Sequence, residues 1–257
     1  MAVLKPNEIL SSVEYRPWPV PRVPWVMRQT WNDLLFAHWP LPPAVLAPHL
    51  PAGLTLDTYA ENAWIGVVPF RMTGVRVRGL PHIPTATRLG EINVRTYVVA
   101  QGKPGVWFFS LDADSPLAVA VARTTFFLPY FRARFTINRD GETVDYAVRR
   151  THGGAAPAEF VGRYRPAGPV FHAAPDTLEH WLTARYCLYS ASPSGQPYRG
   201  EIHHAPWPLR PATADISRNT MCAALGISLP STAPLLHYVH RLDVLCWPIR
   251  RVPPSLA

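Results

Sequence analysis

The segment Glu91-Ile92-Asn93-Val94-Arg95-Thr96-Tyr97-Val98 sets an acid, an amide, a guanidinium and a phenol at alternate positions. Successive side chains of a β-strand point to opposite faces, so Glu91, Asn93, Arg95 and Tyr97 share one face. That face either meets water or lines a polar interior. The following run, Val106-Trp107-Phe108-Phe109-Ser110-Leu111, is apolar in both registers. Burial on both sides of that neighbour favours the interior. A carboxylic acid and a guanidinium placed there could transfer a proton and hold an anion.

A second constellation is Arg199-Gly200-Glu201-Ile202-His203, with Arg199, Glu201 and His203 on one strand face. Acid and imidazole two residues apart suit general acid–base work, and they equally suit a structural ion pair beside a satisfied histidine. His237 and His240 sit three apart and face opposite ways on a strand, and no third ligand at metal spacing accompanies them. No metal is expected, and no cofactor: the chain carries no Walker loop, no GxSxG and no GxGxxG.

The elements that must position these residues are mostly strands. Thirty prolines sit at segment ends, as punctuation between short strands joined by rigid turns. Strands are expected at 54–59, 63–71, 91–101, 106–111, 131–138, 142–149, 158–165, 186–190, 198–205 and 236–247, with Asp140-Gly141 as a hairpin turn. Ser115-Pro116 opens a helix through LAVAVARTTF, whose all-round apolarity predicts burial. Asp176 caps a second helix in a capping box, Asn219 to Leu225 forms a third ending at Gly226, and Pro42 to Leu50 a fourth. Many strands with few helices predict an α+β, β-dominated fold built on a curved or closed antiparallel sheet.

Composition bounds the rest. With 257 residues, 48% of them hydrophobic, the chain reads as one domain over 1–257, its core spanning about 25–252. No run approaches the ~20 apolar residues of a membrane span, and the N-terminus lacks a signal-peptide pattern, so a cytoplasmic protein is expected. Cys187, Cys222 and Cys246 are far apart and read as reduced thiols. The net charge of +8 comes from 23 arginines and only two lysines, Lys5 and Lys103, scattered singly. That scatter argues against nucleic acid, which is bound by stripes or tails of charge, and leaves arginine-mediated nucleic-acid binding as the weakest reading.

The strings WNDLLFAHWPLPP, AWIGVVPFRMTGVRVRGLP, EINVRTYV, GVWFFSLDADSPLAVAVAR, RYCLY, YRGEIHHAPWPL and PLLHYVHRLDV, from about Trp31 to Val252, resemble an uncharacterised YqjF-like family. That family is similar in turn to the acetoacetate-decarboxylase-like superfamily. The decarboxylase pattern runs Gly-Arg-Glu and then, after an interval, Pro-Lys-Lys; here Arg123 and Pro129 match it. Tyr130 stands where the nucleophilic lysine would be and Phe131 replaces its charged neighbour. Arg28 is matched to an early family arginine, and Glu91 to a pocket glutamate.

The resemblance implies a cone-shaped antiparallel β-barrel with a few peripheral helices and an interior cavity. Arg28, Asn93, Arg95 and Arg123 are then the expected substrate-binding residues, since guanidinium forks suit carboxylates. Glu91, Tyr130, Glu201 and His203 are the expected catalytic ones. A tyrosine cannot form an imine, so the expected protein is an enzyme of a small anionic or carbonyl compound that works without a Schiff base. The alternative is a non-catalytic binder of the same fold. A small anionic ligand is the expected partner, with no membrane partner and with homo-oligomerisation left open.

Overall fold

A computed structural model describes residues 4–80 and 88–253. The element order is α1 (Pro6–Ile9), β1 (Met27–Leu41), α2 (Pro43–Leu46), β2 (Thr55–Leu56), β3 (Ala63–Val77), β4 (Arg88–Ala100), β5 (Lys103–Ala113), α3 (Pro116–Thr125), β6 (Tyr130–Asp140) and β7 (Thr143–Arg150). There follow β8 (Glu159–Pro166), α4 (Leu178–Thr183), β9 (Cys187–Ala191), β10 (Pro197–His203), β11 (Arg210–Asn219), β12 (Leu235–Cys246) and β13 (Arg250–Arg251). The result is a β-dominated α+β fold with few helices. No helix among the described residues is long and apolar enough to cross a membrane.

Two strands fork. β5 pairs with β4 along one edge, while its other edge is divided between β9 at Val106 and Trp107 and β6 at Leu111 to Ala113. β12 pairs with β1 along one edge, and its other edge is divided between β11 at His237 and Tyr238 and β10 at Leu245 and Cys246. Two closed rings result, sharing the wall β12-β1-β3-β4-β5. A nine-stranded ring closes through β6, β7, β8 and β11, and a seven-stranded ring through β9 and β10. The pairings of β5 with β6 and with β9 are parallel, a departure from the purely antiparallel barrel expected.

Each face of the shared wall looks into one ring. Leu35, Ala37, Ile65, Val67, Ile92 and Val94 pack with Tyr146, Phe160 and Tyr164 in the nine-stranded ring. Leu34, Phe36, Val68 and Phe70 pack with Ile202, Val239 and Trp207 on the other face. Alternation along β1 inverts at Asp33, which adopts a left-handed φ of 50°. Met27 and Trp31 before it, and Leu34 and Phe36 after it, thereby line the same cluster. Asp tolerates this conformation better than most residues.

Several local expectations change. α3 runs over the surface, with Leu117 58% exposed and only Val119 buried; its apolar run reflects small alanines and valines, not a surrounding core. The cap of α4 is Thr177, whose side chain accepts from the His180 amide, because Asp176 takes a positive φ of 65°. The stretch read as a third helix continues β11 to Asn219 and then makes only a 3-10 turn, Ala223–Leu225. β1, the strand that carries the inversion, and β11 were not expected from the sequence, and the expected strand at 54–59 shrinks to β2.

Candidate functional site

The polar row of β4 lies against the seven-stranded ring, and Glu91, Asn93 and Arg95 are all buried. Glu91 lies opposite Ala113, at the end of the β5 stretch that pairs with β6. Tyr130, the first residue of β6, pairs with Leu111, and Leu111 lies opposite Asn93, so its phenol is delivered to the β4 row. The Tyr130 hydroxyl donates to Glu91 Oε2 over 2.7 Å. Tyr146 reaches from the nine-stranded ring to donate to the Glu91 carbonyl over 2.6 Å, fixing the backbone behind the carboxyl. Burial raises the Glu91 carboxyl, and hydrogen bonds from Tyr130 and Asn93 only partly offset it, leaving a pKa of about 7. Burial, and then the charge of Glu91, push the Tyr130 phenol well above its ordinary value. Tyr130 is therefore a neutral donor, and Glu91 can give or take a proton near neutrality.

Four residues along β4, Arg95 is 8% exposed. Its guanidinium lies 4.8 Å from the centre of the Phe36 ring and 5.6 Å from that of Tyr97. Among the described residues no carboxylate lies within ion-pair distance of it. Burying an unpaired cation costs several kcal/mol, against which two cation–π contacts set about 2 kcal/mol each. Arg185, by contrast, lies 4.9 Å from the centre of the Tyr97 ring and is paired with Asp57 at 2.5 Å.

His38 is fully buried, and its Nε2 lies 2.6 Å from the Tyr97 hydroxyl. Burial, with Arg95 and then His237 adding to it, holds the imidazole well below its usual pKa, so it is neutral. Several buried polar atoms on this side have no hydrogen-bond partner: His38 Nδ1, His237 Nδ1, Arg95 Nε, Asn93 Oδ1 and Trp64 Nε1.

The remaining expected site residues lie elsewhere. Arg28 falls on the other face of β1 because the alternation inverts at Asp33; its guanidinium is 3.8 Å from Asp243. Arg123 is exposed on the last turn of α3 and donates to the Tyr130 carbonyl over 2.8 Å, so it touches the backbone and not the phenol. Glu201 and His203 form a separate cluster beneath the N-terminal segment. Glu201 accepts from Trp18 Nε1 at 2.7 Å and lies 3.2 Å from Arg16, 3.2 Å from Arg199 and 3.3 Å from Lys103. His203 Nε2 meets the Ile9 carbonyl at 2.9 Å, and burial lowers its pKa. This is an ion-pair anchor for residues 9–18. Among the described residues, no three His, Cys, Asp or Glu side chains converge as a metal ligand set.

Sequence reasoning did not single out His38, Trp64 or Gly66. His38 follows Leu34 and Phe36 at alternate positions, which was a usable signal once β1 was recognised as a strand.

Residues 28–243 match the family DUF2071, described as an uncharacterized conserved protein. The chain is 49% identical over 232 residues to the uncharacterized protein YqjF of Bacillus subtilis (strain 168), covering 90% of this chain and 95% of that one. Among solved structures, the enduracididine biosynthesis enzyme MppR complexed with pyruvate is similar with a TM-score of 0.61 at 11% identity, covering 95% of this chain and 99% of the other. The acetoacetate decarboxylase of Legionella pneumophila gives 0.60 at 14% identity, covering 95% of both chains. An acetoacetate decarboxylase-like enzyme from Sphingomonas wittichii RW1 gives 0.59 at 13% identity, covering 94% of this chain and 100% of the other. At such identities the likeness is one of fold.

Proposed function

Because the chain belongs to this family of uncharacterized conserved proteins and has an acetoacetate-decarboxylase-like fold, we propose that it is a small-molecule enzyme working in the seven-stranded ring. Its substrate is anionic or carbonyl-containing, and its chemistry proceeds without a Schiff-base lysine. The observation that carries this reading is the 2.7 Å hydrogen bond from Tyr130 to a buried Glu91 whose pKa is about 7. Such a carboxyl is poised to remove or deliver a proton beside a carbonyl. Asn93 and Arg95 continue the same row and bind the substrate; Arg123 positions Tyr130 through its carbonyl. Lys103, the lysine nearest in sequence to the site strands, is tied to Glu201 at 3.3 Å and stacked over Trp18 at 4.9 Å.

The test is deuterium incorporation into pyruvate and acetoacetate, followed by NMR, with borohydride trapping in parallel. Wild-type protein should accelerate exchange beside the carbonyl of at least one of these probes. Glu91→Gln should lose about 100-fold or more, the ordinary contribution of a positioned base. Mass spectrometry should find no reduced imine; an adduct on Lys103 or Lys5 would overturn the reading. Binding without any exchange would leave a non-catalytic receptor, which the unpartnered donors around His38 would also serve.

A further inference from the structure

On the face of the shared wall toward the seven-stranded ring, the buried side chains with an unmet nitrogen include His38 at Nδ1, Arg95 at Nε and Trp64 at Nε1, with His237 Nδ1 beside them. Two of them meet over Gly66. A Cβ built on Gly66 would stand 2.9 Å from His38 Cδ2 and 3.4 Å from Arg95 Cγ, so the glycine is needed for both side chains to settle there. Trp64 lies two residues before Gly66 on β3 and hence on the same face.

The hydrogen bonding selects the His38 tautomer. If Nε2 carried the proton, the Tyr97 hydroxyl would be buried with no acceptor and Nδ1 with no donor. With Tyr97 donating to Nε2 across the 2.6 Å contact, only Nδ1–H is unmet. Fewer unmet buried groups favour the second arrangement. His38 then carries a buried unmet N–H at Nδ1, as Arg95 does at Nε and Trp64 at Nε1. Water could accept from these groups, but it would not neutralise the Arg95 charge. The buried acceptor without a partner in this row is Asn93 Oδ1, one strand repeat of about 6–7 Å from Arg95 toward Glu91.

Resting on the seven-stranded ring as the ligand's place, we infer that His38, Trp64 and Arg95 form a donor-only receptor for a singly charged carboxylate, and that Asn93 accepts from a hydroxyl carried a few atoms away. The ligand class is a short hydroxycarboxylate. One unpaired guanidinium matches one negative charge and disfavours a dianion. Glu91 and Tyr130 then face the end of the ligand remote from its carboxylate.

The experiment is calorimetric titration of the full chain with 3-hydroxybutyrate, butyrate and succinate. 3-Hydroxybutyrate should bind tightest and succinate weakest. Trp64→Phe, which removes an N–H and keeps a ring, should weaken 3-hydroxybutyrate about 3–10-fold, the ordinary value of one hydrogen bond. Arg95→Met should weaken it by about 50-fold or more, and Asn93→Leu should erase the preference over butyrate. Histidine 15N spectra of the unliganded protein should show the His38 proton on Nδ1, a readout that does not depend on folding of any variant. Binding that survives Glu91→Gln but not Arg95→Met supports the receptor whatever becomes of the proton-transfer reading. Binding lost on Glu91→Gln yet indifferent to Arg95→Met and Trp64→Phe overturns the receptor and leaves the Glu91–Tyr130 pair standing. No measurable binding of any of the three acids, or a His38 proton on Nε2, also overturns it.

Discussion

The two rings share five strands and differ in how they treat buried polarity. In the nine-stranded ring, Tyr238 donates to Asp33 Oδ1 at 2.7 Å and Tyr164 to the Asp33 carbonyl at 2.8 Å. Asp112 there receives two bonds of 2.7 Å from Arg150, which also stacks on Phe131 at 4.0 Å. Among the described residues, the unmet side-chain atoms on that face include Ser110 Oγ and Asn219 Nδ2, both uncharged, and Arg28 Nε and Nη2, whose guanidinium has Asp243 at 3.8 Å as a counter-ion. In the seven-stranded ring, a guanidinium stands without a counter-ion beside unmet atoms of His38, His237 and Asn93. A satisfied network rigidifies a core, whereas an unsatisfied one is a cost that folding alone does not explain. On the reading proposed above, one side of the wall is scaffold and the other receptor.

The contrast is broken most forcefully at Asp112. Asp112→Ala should strand Arg150 in the nine-stranded ring and destabilise the protein by about 3–5 kcal/mol, as when one partner of a buried ion pair is lost. Urea unfolding measures this; a loss below about 1 kcal/mol would mean that the pair is no scaffold.

Next in size is the pH dependence contributed by Glu91. Its folded pKa of about 7 lies above the ordinary 4.5, so the native state holds this proton more tightly than the unfolded chain does. The stabilising contribution is fully present below about pH 4.5 and is lost as pH rises through about 7. Its size is roughly 3 kcal/mol at 1.36 kcal/mol per unit. Glu91→Gln should flatten the stability profile between pH 5 and pH 8. A profile of unchanged slope would show that the carboxyl titrates normally.

Arg95→Met sharpens the same comparison with a smaller effect. Removing an unpaired buried cation should leave stability unchanged or raise it by up to about 2 kcal/mol, since an apolar replacement relieves desolvation. Scaffold residues lose stability when cut; receptor residues need not. A loss of 3 kcal/mol or more would identify Arg95 as structural.

The β4 row was legible because strict alternation needs no tertiary knowledge, and Glu91, Asn93 and Arg95 are indeed buried side by side. The Glu91–Tyr130 contact was not legible from spacing. It depends on the fork of β5, which turns a residue 39 positions away onto the β4 row. Arg28 was matched through the family resemblance alone, which carries no information on strand faces; a single left-handed residue, Asp33, inverts the alternation of β1, so Arg28 does not share the face of Phe36 and His38. Glu201 and His203 share a face as their spacing implied. What spacing could not reveal is that residues 9–18 lie over that face and consume its polar groups. α3 forms where expected, with Ser115 as its cap, but its expected burial failed for a compositional reason: a run of Ala and Val looks buried in any register, and only a neighbour can bury it.

The smallest effect expected is at Tyr130. Its phenol gives Glu91 one neutral hydrogen bond, so Tyr130→Phe should weaken turnover or ligand binding by about 0.5–1.5 kcal/mol. The sign of a second change is more telling. The bond from Tyr130 is the largest influence lowering the Glu91 pKa against burial, so its loss should move the Glu91 titration upward from about 7. A pH–rate or pH–binding profile of the variant should therefore shift its midpoint to higher pH, while a purely steric role for the ring would leave the midpoint in place. A collapse of activity by several orders of magnitude would instead make Tyr130 the acid that reacts. In that case Glu91 would be its orienting partner, and the two residues would exchange roles without leaving the seven-stranded ring.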